Sequence, residues 1–243
     1  MATMKATPIT TCETAKRIID STHHALIAGC TGCGKSNVMN LLITSILSRD
    51  PNEYQFVLID TKRVELGRYS RTPHCAGFAY EAEDIEELLN KCLRLVEYRR
   101  DVMFENFQTK YTGTKLYIII DELGDLLALS EECKRAGKAG ADIFNKIVRL
   151  ARIARAMNIQ LICATQNINA KVIPTHLKGQ LDLRIAVPVA TAGESRVILD
   201  SDGAETLELG EIIVKFGIQR ERVRVPRMSD EEVLYIVKQL VNI

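Results

Sequence analysis

Residues 25–36 read Ala-Leu-Ile-Ala-Gly-Cys-Thr-Gly-Cys-Gly-Lys-Ser: a strand-sized apolar run leading directly into G-x-x-x-x-G-K-[ST]. The context matters as much as the match, because a phosphate-binding loop needs a strand before it and a helix after it. Lys35 to Ser48 supplies the helical pattern. Gly29, Gly32 and Gly34 permit left-handed or close-approach backbone, so that successive N–H groups converge on phosphate oxygens. The N-terminus of the following helix adds unpaired donors and the positive end of its dipole. On this pattern the nucleotide contacts are expected from Gly29, Cys30, Thr31, Gly32, Cys33, Gly34, Lys35, Ser36 and Asn37. Lys35 is expected at the β- and γ-phosphates, and the Ser36 hydroxyl on Mg²⁺.

Such a loop also needs an acid at the end of a second strand. Leu116 to Ile120 is that strand, and Asp121-Glu122 follows it. Asp121 is expected in the shell of the magnesium ion, and Glu122 is placed to polarise an attacking water, which points to hydrolysis rather than transfer to an acceptor. Gln166, just past the apolar run Gln160 to Ala164, is either a γ-phosphate sensor or a plain loop glutamine. Asp60 and Lys62 end another strand, where ligands gather in a doubly wound sheet; a surface ion pair is the alternative. The cofactors implied are ATP and Mg²⁺.

The rest of the chain alternates strand-length apolar segments with amphipathic helical ones, the pattern of a mostly parallel sheet covered by helices. Further strands are expected at Gln55–Ile59, Leu181–Val187 and Glu211–Phe216, with a turn at 217–220 leading to Val223–Val225 and so an antiparallel pair at the end of the sheet. Helices are expected at Asp84–Asn106, Ala141–Met157 and from Ser229, whose hydroxyl and Glu232 form a capping-box signature. Ser130–Gly140 reads as a charged, glycine-punctuated surface loop. Thr10 and Glu13 suggest a short helix to Asp20, giving an N-terminal appendage over 1–22 and one domain over 23–243.

With 47% hydrophobic and 26% charged residues, 243 residues are enough for a self-sufficient core. No apolar run is long enough to span a bilayer, and the start shows no secretory h-region, so a cytoplasmic address is expected. Seven cysteines fit reduced thiols. Cys30 and Cys33 form a C-x-x-C, but no second ligand pair at zinc spacing exists. Lys plus Arg number 32 against 31 Asp plus Glu, so any nucleic-acid contact requires local concentration of positive charge. Residues 134–155 offer one, with seven basic residues and a single acid, Asp142. This is either a solvated helix face or a functional surface. In the functional case Lys134, Arg135 and Lys138 contact phosphate backbone, and an arginine near the helix end acts in trans on a neighbour's γ-phosphate.

The segments HALIAGCTGCGKSNVMN, FVLIDTKRVEL, YIIIDELGDLL, ARIARAMNIQLICATQ, DLRIAVPV and SRVILDSDGAE, in that order, resemble the motor domain of the FtsK/SpoIIIE family of DNA translocases within the HerA/FtsK superfamily. The resemblance covers about residues 23 to 225. It implies a RecA-like α/β P-loop NTPase, usually a homohexamer that moves double-stranded DNA through its centre. By motif it assigns Lys35, Ser36, Asp121 and Glu122 to the Walker roles and Gln166 to the sensor position. It points to Arg155 and then Arg152 as the trans-acting arginine, and it also matches Arg184 and Arg196. Asp60 and Lys62 match the family's Asp-Pro-Lys with Thr61 in place of proline. DNA contacts are expected from the 130–140 loop and from 169–179, including Lys171 and Lys178.

The chain departs from the family's long chromosomal members, which carry membrane helices, a linker and a winged-helix reader. The expectation is either a stand-alone motor, as suits a phage, plasmid or other mobile element, or an excised motor domain. The alternative is a coupling or secretion-type ATPase that recruits a relaxase or other transfer or packaging partner. A small-molecule kinase fits the Walker B glutamate poorly.

Overall fold

The structure is a computed structural model and describes residues 12–241. Eight strands form one sheet: β1 (Ala25–Ala28), β2 (Tyr54–Ile59), β3 (Cys75–Ala79), β4 (Lys115–Ile120), β5 (Ile159–Thr165), β6 (Leu183–Ala186), β7 (Glu211–Phe216) and β8 (Gln219–Arg224). Eight helices accompany them: α1 (Glu13–Asp20), α2 (Lys35–Leu47), α3 (Ala82–Glu105), α4 (Leu123–Ala136), α5 (Ile143–Ile153), α6 (Thr175–Lys178), α7 (Ala192–Leu199) and α8 (Asp230–Val241). The strand order is β3-β2-β4-β5-β1-β6-β7-β8. From β3 to β6 all pairs are parallel, and β7 and β8 add the antiparallel edge.

Strand periodicity divides the core in two, because alternate side chains point to opposite faces. Leu26, Ile118, Ile120, Leu161 and Cys163 bury against α3, α4, α5 and α7, while Ile27, Tyr117, Ile119, Ile162 and Ala164 bury against α1, α2 and α8. Every residue of α2 from Val38 to Leu47 is buried. The helix lies between the sheet and the outer helices α1 and α8, and its buried polar groups are bonded: the Thr44 and Ser45 hydroxyls donate to the carbonyls of Asn40 and Leu41, and the Asn40 side chain accepts the Tyr69 hydroxyl. The Ser229/Glu232 capping box starts α8: the Glu232 N–H donates to the Ser229 hydroxyl (3.2 Å) and the Ser229 N–H to the Glu232 carboxylate (2.7 Å).

Several expectations are corrected. Residues 130–136 belong to α4 rather than to a loop: Leu126, Ser130 and Cys133 recur at helical spacing on its buried side, and Gly137 ends it at φ 63°. High charge on the outer face had masked the period. The expected helix at 141–157 is shorter; α5 stops at Ile153 and a 3-10 turn covers Arg155–Met157. Strand β3, Cys-Ala-Gly-Phe-Ala, carries no clear strand pattern in the sequence because it is a short edge strand broken by glycine. Thr10 lies outside the described residues. Helix α1 is packed into the body, with Ile19 fully buried. The Lys115 ammonium, pushed down to about 8 by burial, donates to the carbonyls of Ile19 and Ser21 at the end of α1. The expected boundary at residue 22 cuts through this packing. No helix among the described residues is long and apolar enough to cross a membrane.

His24, at the start of β1, is 1% exposed and accepts the Leu161 N–H at 2.9 Å. Burial pushes its pKa from 6.5 down to about 4. The unfolded chain then binds a proton between these values that the folded chain does not, so stability falls as pH drops from 6.5 towards 4. Urea denaturation across that range is expected to show wild type losing up to about 3 kcal/mol more than His24→Gln.

Candidate nucleotide site

The strand order puts the carboxyl ends of β4, β5 and β1 side by side, and three loops leave from there. The loop after β1 is fixed from below: the Cys30 N–H donates to Pro188 O (3.0 Å) and the Cys33 N–H to Cys30 O (3.2 Å). Gly29 sits so close to the chain after β6 that a Cβ there would lie 2.1 Å from a Val187 methyl. Gly32 and Gly34 have φ of 75° and 101°, the left-handed region in which only glycine is free of strain. Gly34 hands over directly to α2, whose first turn presents its N–H groups to the same side.

Cys30, Thr31, Gly32, Gly34, Lys35, Ser36, Lys62, Val64, Glu65, Asp121, Glu122 and Gln166 line one cleft of about 450 Å³. Lys35 Nζ lies 2.8 Å from Asp121 Oδ1 and donates also to the Asp121 backbone carbonyl (2.9 Å). The Thr31 hydroxyl donates to Gln166 Oε1 at 2.7 Å. Glu122 is 6% exposed and accepts from the Gln166 N–H (2.8 Å), the Gly124 N–H (3.1 Å) and the Thr165 hydroxyl. The donor set suits a triphosphate with its metal: a backbone cradle and one ammonium for phosphate oxygens, a hydroxyl and a carboxylate for a hard cation. Here Lys35, Ser36 and the cradle can hold the phosphates, Ser36 and Asp121 can hold Mg²⁺, and Glu122 can accept a proton from water.

Three expected contacts fall outside this cleft. Gly29 is buried under Val187 and acts through close packing. Cys33 packs into the core face that holds α2, where burial, with the Cys30 thiol adding to it, raises its pKa. Asn37 turns away from the cleft: its amide donates to Pro226 O (2.9 Å) and accepts from the Met228 N–H (2.8 Å), tying α2 to the segment before α8. These two bonds hold the Asn37 amide on the side of α2 that faces the segment 226–228, away from the phosphate loop.

Asp60 and Lys62 separate in role. Asp60 is 2% exposed and accepts four backbone N–H groups, from Lys62, Arg63, Glu65 and Leu66, at 2.9–3.0 Å. It shapes the loop that brings Lys62 and Val64 to the cleft. Lys62 pairs with Asp125 at 2.9 Å, and this bond outweighs burial and raises its pKa.

The expected trans-acting arginines lie at the opposite end of the sheet, before β5 begins. Arg155 is bonded to Asp182 (3.1 Å) and to His23 Nε2 (3.2 Å), and Arg152 is exposed beside it. Among the expected DNA contacts, Lys134, Arg135 and Lys138 are exposed at and beyond the end of α4. Lys171 is exposed and pairs with Glu131 at 3.1 Å. Lys178 is not available as a surface cation: its side chain is 15% exposed and bonded to Asp200 at 2.5 Å. Arg184 and Lys215 share that carboxylate. Burial works against the Asp200 carboxylate, but hydrogen bonds and charge from Lys178 and Arg184 outweigh it and hold the carboxyl well below its usual range. Arg196 pairs with Asp202. Sequence reasoning missed Thr165 and Val64. The Ala-Thr-Gln tract contains the former; nothing in the local pattern marks the latter.

A glycine-cradled loop with an apposed lysine–aspartate pair, on a parallel sheet of this order, defines a P-loop ATPase. The FtsK/SpoIIIE family model matches residues 10–118. The DNA translocase FtsK of Oceanobacillus iheyensis is 37% identical over 244 residues, covering 90% of this chain and 30% of the relative. The DNA translocase SpoIIIE of Bacillus subtilis is 33% identical over the same coverage. Residues 10–118 thus match the FtsK/SpoIIIE family, and the chain spans about 30% of the length of these curated relatives. The solved pCW3 conjugation coupling protein TcpA, with ATPγS, superposes at a TM-score of 0.78 with 22% identity, over 91% of this chain and 66% of that one.

Asn37→Ala is expected to lower stability by about 1–2 kcal/mol, since it leaves the Met228 N–H and Pro226 carbonyl without their partner. Nucleotide affinity should stay within about threefold, which parallel denaturation and fluorescent-nucleotide titrations check.

Proposed function

We propose that this domain is an ATP-driven motor on double-stranded DNA, working as a ring oligomer, and that hydrolysis takes place in the cleft between β1, β5 and β4. The observation that carries the reading is the convergence of Lys35, Asp121, Glu122 and Gln166 on one cleft in a chain that matches the FtsK/SpoIIIE family over residues 10–118. Lys35 and the loop amides bind the phosphates and orient the γ-phosphoryl group. Ser36 and Asp121 would hold a magnesium ion, which when bound would supply charge neutralisation at the phosphates. Glu122 takes the proton of the attacking water, and Gln166 reports on the γ-phosphate side. A ring supplies Arg155, with Arg152 beside it, to the neighbouring subunit's cleft. Their distance from their own cleft supports a role in trans.

DNA contact is assigned to Lys134, Arg135 and Lys138, with Lys171 joining once its exposed pair with Glu131 opens. Such an exposed pair is worth at most about 1 kcal/mol, so a phosphate can displace the carboxylate. Lys178, largely covered and bonded to Asp200, is excluded from this role.

Turnover of ATP should require Mg²⁺ and rise on addition of duplex DNA. Lys35→Ala and Glu122→Gln should each lower it by about a hundredfold or more, with Glu122→Gln retaining nucleotide binding. If about four phosphates are engaged, DNA affinity should fall about a hundredfold between about 50 and about 200 mM salt. Steady-state hydrolysis, filter binding and oligomer mass check these outcomes. Turnover indifferent to duplex DNA at low salt would overturn the motor reading in favour of a coupling ATPase that recruits a protein substrate.

A further inference from the structure

Glu122 is held more closely than a solvent-facing base would be. A carboxylate offers about four lone-pair sites, two on each oxygen. On Oε1 both are taken, by the Thr165 hydroxyl and the Gly124 N–H. On Oε2 one is taken, by the Gln166 N–H at 2.8 Å. One acceptor direction remains on the whole group, and it belongs to Oε2. The Gly124 bond is explained by the fold, since it caps the N-terminus of α4. The other two donors both come from the end of β5.

Thr165 is the unexpected one. It is fully buried at the end of a strand that otherwise reads Ile-Gln-Leu-Ile-Cys-Ala, and a hydroxyl there destabilises the fold unless it is bonded. Its oxygen accepts the Asn167 N–H at 3.0 Å. Its single proton has two acceptors in reach, the Asn167 carbonyl at 3.4 Å and the Glu122 carboxylate. The charged and much closer carboxylate takes it, because bonds to an ionised acceptor are shorter and stronger. Both functions of the hydroxyl are therefore fixed, and so is the carboxylate oxygen it holds.

The same strand end faces the phosphate loop. Thr165 stands in register with Ala28, the residue before Gly29, and the Gln166 amide oxygen accepts the Thr31 hydroxyl. Just downstream, Asn169 accepts the Lys171 and Val172 N–H groups, so the turn leads directly into the segment carrying Lys171. Thr165 thus lies where the base, the phosphate loop and the start of a proposed DNA-contact segment meet.

We propose that Thr165 is a positioning residue for hydrolysis: its hydroxyl engages Oε1 of Glu122 and leaves Oε2 as the oxygen that addresses the attacking water. This rests on the reading of Glu122 as the base. A purely structural role, capping the turn at Asn167, is likewise lost with valine and kept with serine, but predicts a full additional loss when Thr165→Val is added to Glu122→Gln. Valine preserves the shape of threonine without its proton, and serine preserves the proton without the methyl group.

The experiment measures kcat, KM and fluorescent-nucleotide affinity of the full chain with Mg²⁺ and duplex DNA. It compares wild type, Thr165→Val, Thr165→Ser, Glu122→Gln and the Thr165→Val/Glu122→Gln double variant. Thr165→Val is expected to lower kcat by about 10- to 100-fold with nucleotide affinity within about threefold, and Thr165→Ser to stay within about threefold of wild-type kcat. In the Glu122→Gln background Thr165→Val is expected to add nothing, because the two residues act as one unit. A wild-type kcat in Thr165→Val, equal losses in the valine and serine variants, or a full additional loss in the double variant would each overturn the positioning role. If Glu122→Gln turns over like wild type, the base assignment falls and the positioning falls with it. If Glu122→Gln is inactive and Thr165→Val is not, only the positioning falls.

Discussion

Parallel pairing places β5 between β4 and β1, and the chemistry of this domain depends on that adjacency. Neighbouring strands lie about 4.8 Å apart, so residues leaving β1 and β4 start about 10 Å from each other. A lysine on the first turn of α2 spans that gap and reaches Asp121 at 2.8 Å. The strand between them delivers Gln166 and Thr165 into the interval. Had β5 been placed elsewhere, the same motifs would exist in the sequence with no common cleft.

The constraint also explains why the site is rigid below and open above. Beneath it are two apolar layers into which the residues of the central strands alternate. At its rim, polar groups are held mainly by backbone: Asp60 by four N–H groups, Glu122 by two, Cys30 through the Pro188 carbonyl. Backbone donors belonging to a packed sheet lose little entropy on holding a side chain, so the carboxylates stay in place as charge nearby changes.

Positive charge is handled differently. The domain is almost neutral overall, and the arrangement of its cations decides which can meet a polyanion. Around Asp200, Lys178, Arg184 and Lys215 form a partly buried group that knits α6, β6 and β7 to the end of α7. Opening it would leave three largely covered cations without the carboxylate they share, which is unfavourable. Lys171, 70% exposed on its side chain, stands in a pair that solvent already weakens. Lys134, Arg135 and Lys138 make no ion pair among the described residues. Burial therefore separates structural cations from available ones where composition sees a single class.

What the sequence determined was local. The phosphate loop, the acid pair after Leu116–Ile120 and the terminal capping box depend on residues a few positions apart, so their patterns survive in one dimension. The helix at 130–136 and the edge strand 75–79 were not legible, because a charged outer face and a glycine obscure a short period. What only the tertiary structure decided lies between residues far apart in the chain. Asn37 belongs to Pro226 and Met228, Lys178 belongs to Asp200, and Glu122 is gripped by Thr165. Each depends on which side chain arrives opposite once the sheet has closed. A hydrogen bond acts over about 3 Å of space, whatever the number of residues between its ends.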